Sequence, residues 1–181
     1  MLTLNVMAAV SPFQGREISK KEAENMIVGS FNVTVDAQGR LIVPSDWADA
    51  LGERVVVIRD LSPSGEHFLT ALPAEAYQSY ISDFAHNPAS DPRSHDLSRK
   101  LLQYACDCKI DQKKRRISIV SSNLQYAGIG TAAVLTANIR SSNPVFEIWA
   151  PEALERSNAE FDEWQYQEAL KKNADEVKAS K

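Results

Sequence analysis

One sequence unit occurs twice in this chain of 181 residues, and the duplication restricts the fold more than any other feature. Each copy centres on an Asp-to-Arg turn with alternating apolar residues on both sides. Three pairs of segments match in the same order and at a near-constant offset, which chance does not readily produce. The matching pairs are 33–43 with 108–119, 47–58 with 124–135, and 68–75 with 146–153.

The two copies are expected to share one hydrophobic core. Hydrophobic residues make up 44% of the chain, which is sufficient for a packed interior. A single copy is too short to bury enough apolar surface for independent stability. The sequence therefore predicts two pseudo-symmetric halves of one β-rich unit.

Apolar patterning predicts the same elements in both copies: strand, turn, strand, short helix, strand, strand, helix. In the first copy, Val33, Val35, Leu41 and Val43 alternate with polar or outward positions around a turn that contains Gly39, which is the pattern of a hairpin. Residues 44–46 are expected to end the second strand and to supply N-cap oxygens to a short helix that ends at Gly52. Further predictions are helices over 74–85, over 95–105 and from Pro151 onward, and a loop over 86–94.

Several functional classes find no support in the sequence. No apolar stretch is long enough to span a bilayer, and the first ten residues lack the basic start of a signal peptide. Cys106 and Cys108 are expected to point to opposite faces of a strand, poorly placed for a disulfide, and the scattered histidines do not complete a zinc site. Nucleotide-binding and catalytic motifs are absent from the sequence. We therefore expect no cofactor, no metal, no enzymatic activity and no membrane partner, and a reducing cytoplasmic location is the default.

Charge favours a nucleic-acid partner only locally. The formal net charge is -4 and the pI is near 5.4, which is unusual for a DNA-binding protein. Between Lys109 and Arg116, however, five of eight residues are Lys or Arg, among them Lys113, Lys114 and Arg115. Local charge, more than the total, sets the field that a phosphate backbone meets.

The Asp-to-Arg turns allow two interpretations. Each arginine can pair with its own aspartate and stiffen the loop, or it can reach outward to phosphate or to a guanine edge. DNA contact is the preferred role for Arg40 and for the basic cluster 113–116, and a solvated loop tip is the alternative for that cluster. Turn-structuring roles are assigned to Asp36, Gly39 and Asp111.

These motifs resemble the MraZ family of bacterial regulators, whose members carry two SpoVT-AbrB-like domains, each with a D-x-x-x-R motif. The resemblance covers residues 26–170. Residues 26–31 lie at the distance from Asp36 where that family begins, usually with Met-Phe-Arg-Gly, and residues 146–149 resemble its Phe-Glu-(Ile or Leu)-Trp stretch. Val28 replaces the usual arginine.

The resemblance implies an α+β fold of two tandem swapped-hairpin AbrB-like β-barrel repeats with short helices and a pseudo-two-fold axis. It also implies a DNA-binding transcriptional regulator of the division and cell-wall gene cluster, located at the nucleoid. Such a protein would assemble as a homo-oligomeric ring on short direct repeats of double-stranded DNA upstream of its own operon. An oligomeric scaffold that keeps the fold without DNA recognition is the alternative. The expected divisions are an extension over 1–25, repeats over 26–85 and 108–156, a linker and helix over 86–107, and a C-terminal helix and tail over 157–181.

Two further expectations concern particular residues. Counting forward from Asp111 makes Arg115 the motif arginine of the second copy, whereas counting back from residues 127–128 makes it Arg116, so both are retained. Trp149 is expected on a face that holds subunits together.

Overall fold

Both copies of the duplicated unit fold into the predicted order of elements. The structure, a computed structural model, describes residues 27–86, 99–140 and 143–179, with side chains except those of 83–86 and 173–179. The first copy comprises β1 (Ser30–Thr34), β2 (Arg40–Ile42), α1 (Ser45–Leu51), β3 (Arg54–Leu61), β4 (His67–Pro73) and α2 (Ala74–His86). The second comprises β5 (Cys106–Lys109), β6 (Arg116–Ser118), α3 (Ser121–Tyr126), β7 (Ala132–Arg140), β8 (Asn143–Trp149) and α4 (Pro151–Ala179).

The predicted helix over 95–105 is described only in part, as a helical segment over 99–104. Its first residues, 95–98, lie outside the described part of the chain. So do residues 87–94 of the predicted loop and the extension over 1–25.

The sheet is pseudo-symmetric: when each strand is replaced by its counterpart in the other copy, the same strand order results, read from the opposite edge. Six strands form one sheet in the order β1-β7-β8-β4-β3-β5, and β2 with β6 forms a separate two-stranded ribbon. These pairs are antiparallel. β1 of the first copy pairs with β7 of the second, and β5 of the second pairs with β3 of the first. The fold is therefore α+β, and each copy completes the sheet of the other.

The prediction of a local hairpin over 33–43 is wrong, because β1 and β2 do not pair with each other. β1 lies against β7, with Phe31 opposite Leu135, and β2 lies against β6, with Leu41 opposite Ile117. The alternation correctly identified two strands, but it contains no information on their partners, because any neighbour in the right register buries the same side chains. Here the partner strands come from the other copy.

A single large core contains residues from both copies, as the length argument predicted. Side chains from the first copy, such as Val43 and Leu69, are fully buried together with Ile117 and Phe146 from the second. A smaller cluster lies on the other face of the sheet, beneath α2. Its buried members are Val56, Ile58, Leu72, Ala76, Leu101 and Val145.

The tryptophans divide between interior and surface. Trp149 is buried and its ring stacks on Phe68 at a centroid distance of 4.1 Å, so it belongs to the interior of the protomer and not to an exposed subunit face. Trp47 is also buried, with Phe31 edge-on at 5.1 Å. Trp164, on α4, is 57% exposed.

The end of helix α1 agrees with the sequence prediction, but its start does not. Gly52 follows its last residue with φ of +81°, as the predicted C-terminal signal requires. The expected N-cap oxygens are not used, because Pro44 occupies the cap position and Ser45 already lies inside the first turn. A serine or aspartate caps a helix only when it precedes the first helical residue.

The two cysteines lie on the same face of β5, and the expectation of opposite faces is wrong. Their sulfur atoms are 3.6 Å apart and both thiols are free. Side chains alternate with a period of two, so residues 106 and 108 share a face and Asp107 lies on the other. Burial raises the pKa of the Cys108 thiol, which the neighbouring Cys106 raises further.

None of the helices in the described ranges combines the length and the apolar character that a membrane crossing requires.

Candidate nucleic-acid interface

The first turn is closed by its own aspartate. The carboxylate of Asp36 accepts hydrogen bonds from the backbone N–H groups of Gln38 and Arg40, at 3.0 and 2.9 Å, through Oδ1. Its Oδ2 accepts from Arg40 Nε at 2.7 Å. The backbone N–H of Arg40, followed by the guanidinium and the Gln38 N–H, lowers the pKa of Asp36. Of the two roles open to Arg40, the structure contains the turn-closing one.

Gln38 is a turn residue that the sequence reasoning did not identify. Its Oε1 accepts a hydrogen bond from Arg40 Nη2 at 3.0 Å, so the guanidinium is held from two sides. A polar residue between the motif aspartate and arginine was the available signal, but such residues are common in turns. Together, Asp36 and Gln38 fix the direction of the Arg40 side chain.

Gly39 lies at a close approach between the two copies. Its φ is +71°, and an added Cβ would stand 2.5 Å from the carbonyl oxygen of Ile119. Its own carbonyl oxygen accepts a hydrogen bond from the N–H of Ile119 at 2.9 Å. The glycine is therefore required both by its backbone conformation and by the neighbouring strand.

The second turn uses its aspartate differently. Asp111 Oδ1 accepts hydrogen bonds from the backbone N–H groups of Lys113 and Lys114, both at 2.9 Å. These bonds, with that from Lys114 the larger, and the two ammonium charges lower the pKa of Asp111. The carboxylate thus shapes the loop through the backbone and leaves the cationic side chains unbound.

The structure identifies Arg116 as the counterpart of Arg40. In both turns the aspartate N–H donates to the arginine carbonyl at 3.0 Å, from Asp36 to Arg40 and from Asp111 to Arg116. Arg115 corresponds to Gly39, since its carbonyl accepts from the N–H of the residue after β2, at 2.8 Å, as that of Gly39 accepts from Ile119. Arg115 also has a positive φ, of +51°. The second turn therefore contains one inserted residue between the aspartate and the left-handed position.

The basic side chains of the second turn have no acidic partner within the described residues. Lys113, Lys114 and Arg115 are exposed and Arg116 is half-buried. The ion pairs that the described ranges contain lie elsewhere: Arg40 with Asp36, Arg54 with Asp107, Arg140 with Asp60, Arg156 with Glu66 and Lys171 with Glu168. Four cations around one carboxylate that is engaged with the backbone leave this loop tip strongly positive.

Both turns lead into the same ribbon. β2 follows the first turn and β6 follows the second, and the two strands run antiparallel with Arg40 opposite Ser118 and Ile42 opposite Arg116. The ribbon thus brings the two motif arginines to one surface, at diagonal positions. In the described part of the chain, no group of three or more His, Cys, Asp and Glu side chains is placed to hold a metal ion.

A concave surface, separate from the two turns, lies between α4 and the sheet. It encloses about 880 Å³, and its walls include Leu61, Trp149, Phe161 and Trp164. Phe161 and Trp164 are 54% and 57% exposed although they lie on the same side of α4. This groove is remote in sequence from the two turns and is rich in apolar surface.

Comparison with known proteins gives a consistent result. Residues 26–100 match the family model described as "MraZ protein, putative antitoxin-like". A protein of Leuconostoc citreum named "Transcriptional regulator MraZ" is 30% identical over 138 residues, which cover 76% of this chain and 90% of that protein. A protein of the same name from Lachnoclostridium phytofermentans is 32% identical over 133 residues, or 74% of this chain and 87% of the relative. Another, from a Roseiflexus species, is 30% identical over 126 residues, which cover 70% and 82%.

Proposed function

The chain belongs to the MraZ family, and on this premise we propose that it is a sequence-specific DNA-binding transcriptional regulator that acts at the nucleoid. Its partner would be double-stranded DNA, in the form of short direct repeats upstream of its own operon, within the division and cell-wall gene cluster. The names of the relatives support regulation of transcription. The finer statements rest on the sequence resemblance.

The observation that carries the proposal is the unpaired basic cluster of the second turn. Lys113, Lys114, Arg115 and Arg116 project from one loop without an acidic partner among the described residues, and Asp111 is occupied by backbone amides. Such a group of cations binds a polyanion by releasing condensed counterions, and this release supplies a large share of the affinity for DNA. A cluster that served only solubility would not need a shaped, hydrogen-bonded loop beneath it.

Arg40 has a different role in this proposal. Its Nε and Nη2 atoms are engaged by Asp36 and Gln38, so its side chain is held in one direction before DNA arrives. A pre-oriented guanidinium loses little entropy on binding and keeps further N–H groups for a base edge or a phosphate. We propose that the first turn supplies orientation and the second turn supplies most of the charge.

Salt-dependent binding to the upstream DNA of the gene tests these roles. The double variant Arg115→Ala with Arg116→Ala should weaken binding and flatten the slope of log affinity against log salt by about 0.9 per lost phosphate contact. Arg40→Ala should weaken binding to the upstream sequence more than to unrelated DNA of equal length. The double variant Lys171→Ala with Lys172→Ala removes the same formal charge from α4 and serves as the control.

The result that would refute the assignment is equally clear. If both turn variants bind the upstream DNA with unchanged affinity and salt slope while their circular dichroism is unchanged, the turns are not the contact surface. The DNA would then be bound through another surface. Failure of the unaltered protein to bind the upstream DNA at all would instead favour the oligomeric scaffold without DNA recognition. Two observations favour that second candidate: the net charge of -4 and the engagement of Arg40 by its own turn.

The proposal extends to architecture and assembly. The reciprocal pairing of β1 with β7 and of β5 with β3 supports two swapped-hairpin repeats of the SpoVT-AbrB kind, over 26–85 and 108–156. We propose the remaining divisions at 1–25, 86–107 and 157–181. Assembly of many protomers into a ring would present the basic turns repeatedly to repeated DNA boxes, and the avidity would compensate for the few contacts of one protomer.

A further inference from the structure

The outward face of the β2–β6 ribbon carries a side chain that has no structural task. Residues directly opposite each other in an antiparallel pair share a face, so Arg40, Ser118, Ile42 and Arg116 all lie on one side of the ribbon. The intervening Leu41 and Ile117 are completely buried and form the other side. Ile42, in contrast, is 51% exposed.

An exposed isoleucine between two arginines needs an explanation. Single exposed apolar residues are common on protein surfaces, but this one lies in the middle of the charged surface that the proposed function assigns to DNA. Its cross-strand partner is Arg116, whose guanidinium has no acidic partner within the described residues. The ribbon has arginines at two diagonal corners and an apolar side chain at a third corner, opposite Arg116. Such a surface can place cations at the phosphate rims of a groove and an apolar group against methyl groups on its floor.

We infer that Ile42 contacts thymine methyl groups in the major groove and is a specificity-determining residue of the ribbon. This inference rests on the proposed function, and it adds the residue and the base feature that are read. In the major groove only thymine carries a C5-methyl group, which binds apolar side chains. The groove is about 12 Å wide and admits a two-stranded ribbon, whose strands are about 4.8 Å apart.

The same geometry makes the two halves of the ribbon chemically unlike. The equivalent of Ile42 in the second copy is Ser118, because β2 and β6 pair about Leu41 and Ile117. The apolar group therefore stands beside Arg116, whereas a hydroxyl stands beside Arg40. Sensitivity to a thymine methyl should be confined to the half of the site that faces Ile42.

Replacement of thymine by uracil tests the inference, because uracil lacks only the methyl group. The probes are synthetic duplexes of the region protected by the protein upstream of its gene, with one thymine replaced at a time. Loss of one methyl contact should weaken binding of the unaltered protein about four-fold, since one buried methylene-sized group is worth about 0.8 kcal/mol. We expect this loss at one or two thymine positions, all in one half of each repeat. Ile42→Ala should weaken binding to the thymine duplex by a similar factor and should no longer distinguish thymine from uracil.

Two variants control for general effects. Ile139→Ala truncates an isoleucine that is 62% exposed on β7, away from the ribbon, and should retain both the affinity and the discrimination. Ile42→Val keeps a β-branched apolar group and should retain part of the discrimination, and it replaces the alanine variant if the latter melts at a lower temperature.

The outcomes separate this inference from the function beneath it. If the protein does not bind the upstream DNA at all, the proposed function fails and the inference fails with it. If binding depends on Arg115 and Arg116 but the Ile42 variants keep the full difference between thymine and uracil, or if no thymine is sensitive, the inference alone is overturned. Discrimination lost in Ile42→Ala, reduced in Ile42→Val and kept in Ile139→Ala supports the inference.

Discussion

Replacement of Gly39 by alanine should destabilise the protein by about 2 to 3 kcal/mol, through two separate costs. The first is the left-handed backbone, with φ of +71°, which costs a residue with a Cβ about 1 to 2 kcal/mol. The second is contact, because the new Cβ would stand 2.5 Å from the Ile119 carbonyl oxygen and 3.2 Å from Leu124 Cδ1. Strand β6 would have to move and would strain the 2.9 Å hydrogen bond from Ile119 to Gly39, worth about 1 kcal/mol.

Gly65 offers a matched control for the first cost. Its φ is +84°, and no atom lies within 4 Å of the position where a Cβ would stand. Gly65→Ala should therefore cost only the conformational term of about 1 to 2 kcal/mol. The difference between the two variants, about 1 kcal/mol, measures the close approach of the two copies at Gly39.

Urea denaturation provides the assay, with all proteins at one protomer concentration because the proposed assembly would contribute to apparent stability. The midpoint should fall further for Gly39→Ala than for Gly65→Ala, with similar slopes. Equal midpoints would mean that β6 is free to move away from the first turn, and the argument that Gly39 joins the two copies would be refuted.

Two other predictions concern the turn carboxylates and the assembly. Carbon NMR titration should find the side chains of Asp36 and Asp111 below the usual aspartate pKa of 3.8, because backbone amides and cations favour their charged forms. Because the folded pKa values lie below the unfolded one, the stabilisation by these carboxylates is fully present above about pH 4 and is lost as the pH falls through the folded values. Measured pKa values at or above 3.8 would contradict the turn geometry. If the proposed ring is held through the exposed aromatic side chains of α4, alanine at Phe161 and Trp164 should reduce the mass found by light scattering while the circular dichroism is retained. An unchanged mass would contradict this assignment of the contact.

The order of elements was predictable because it depends on local signals. Apolar alternation, the glycine at position 52 and the repeat itself are all visible within windows of a dozen residues. The shared core was predictable from length alone, and the structure confirms it through contacts such as those around Phe146. The family resemblance was carried by the two Asp-to-Arg turns, by residues 26–31 and by residues 146–149, and the comparisons with known proteins confirm the family.

Strand partners could not be read from the same signals. The alternation over 33–43 fixes which side chains are buried, but Leu41 is buried equally well by a hairpin partner or by Ile117 from the other copy. The partner is decided by long-range pairing, which leaves no trace in the local pattern. The alternation places Ile42 on the outward face, but its neighbour Arg116 becomes visible only when β6 is known to pair with β2.

The side chains within the turns were only partly predictable. An aspartate followed by an arginine indicates a turn, and both aspartates accept hydrogen bonds from backbone amides. The sequence does not reveal that Asp36 also binds the guanidinium of its arginine whereas Asp111 does not. The two turns differ in length by one residue, inserted between the aspartate and the left-handed position. The hydrogen bonds around Arg115 and Arg116, not the residue count, decide which of the two corresponds to Arg40.

Fusion of the two copies explains why their turns can differ. In a dimer of identical single copies, any change to one turn would appear in both, and each site would have to keep the glycine that the close approach at Ile119 requires. In one chain, the first turn keeps Gly39, and the second has an additional residue and a left-handed Arg115. Under the proposed function, a DNA-binding protein with two-fold symmetry would require an inverted repeat, because its two identical halves bind identical half-sites in opposite orientations. A ribbon with Ile42 beside one arginine and Ser118 beside the other is asymmetric, so it can bind a DNA site in one orientation only. Many copies of such an asymmetric ribbon in one ring are suited to direct repeats.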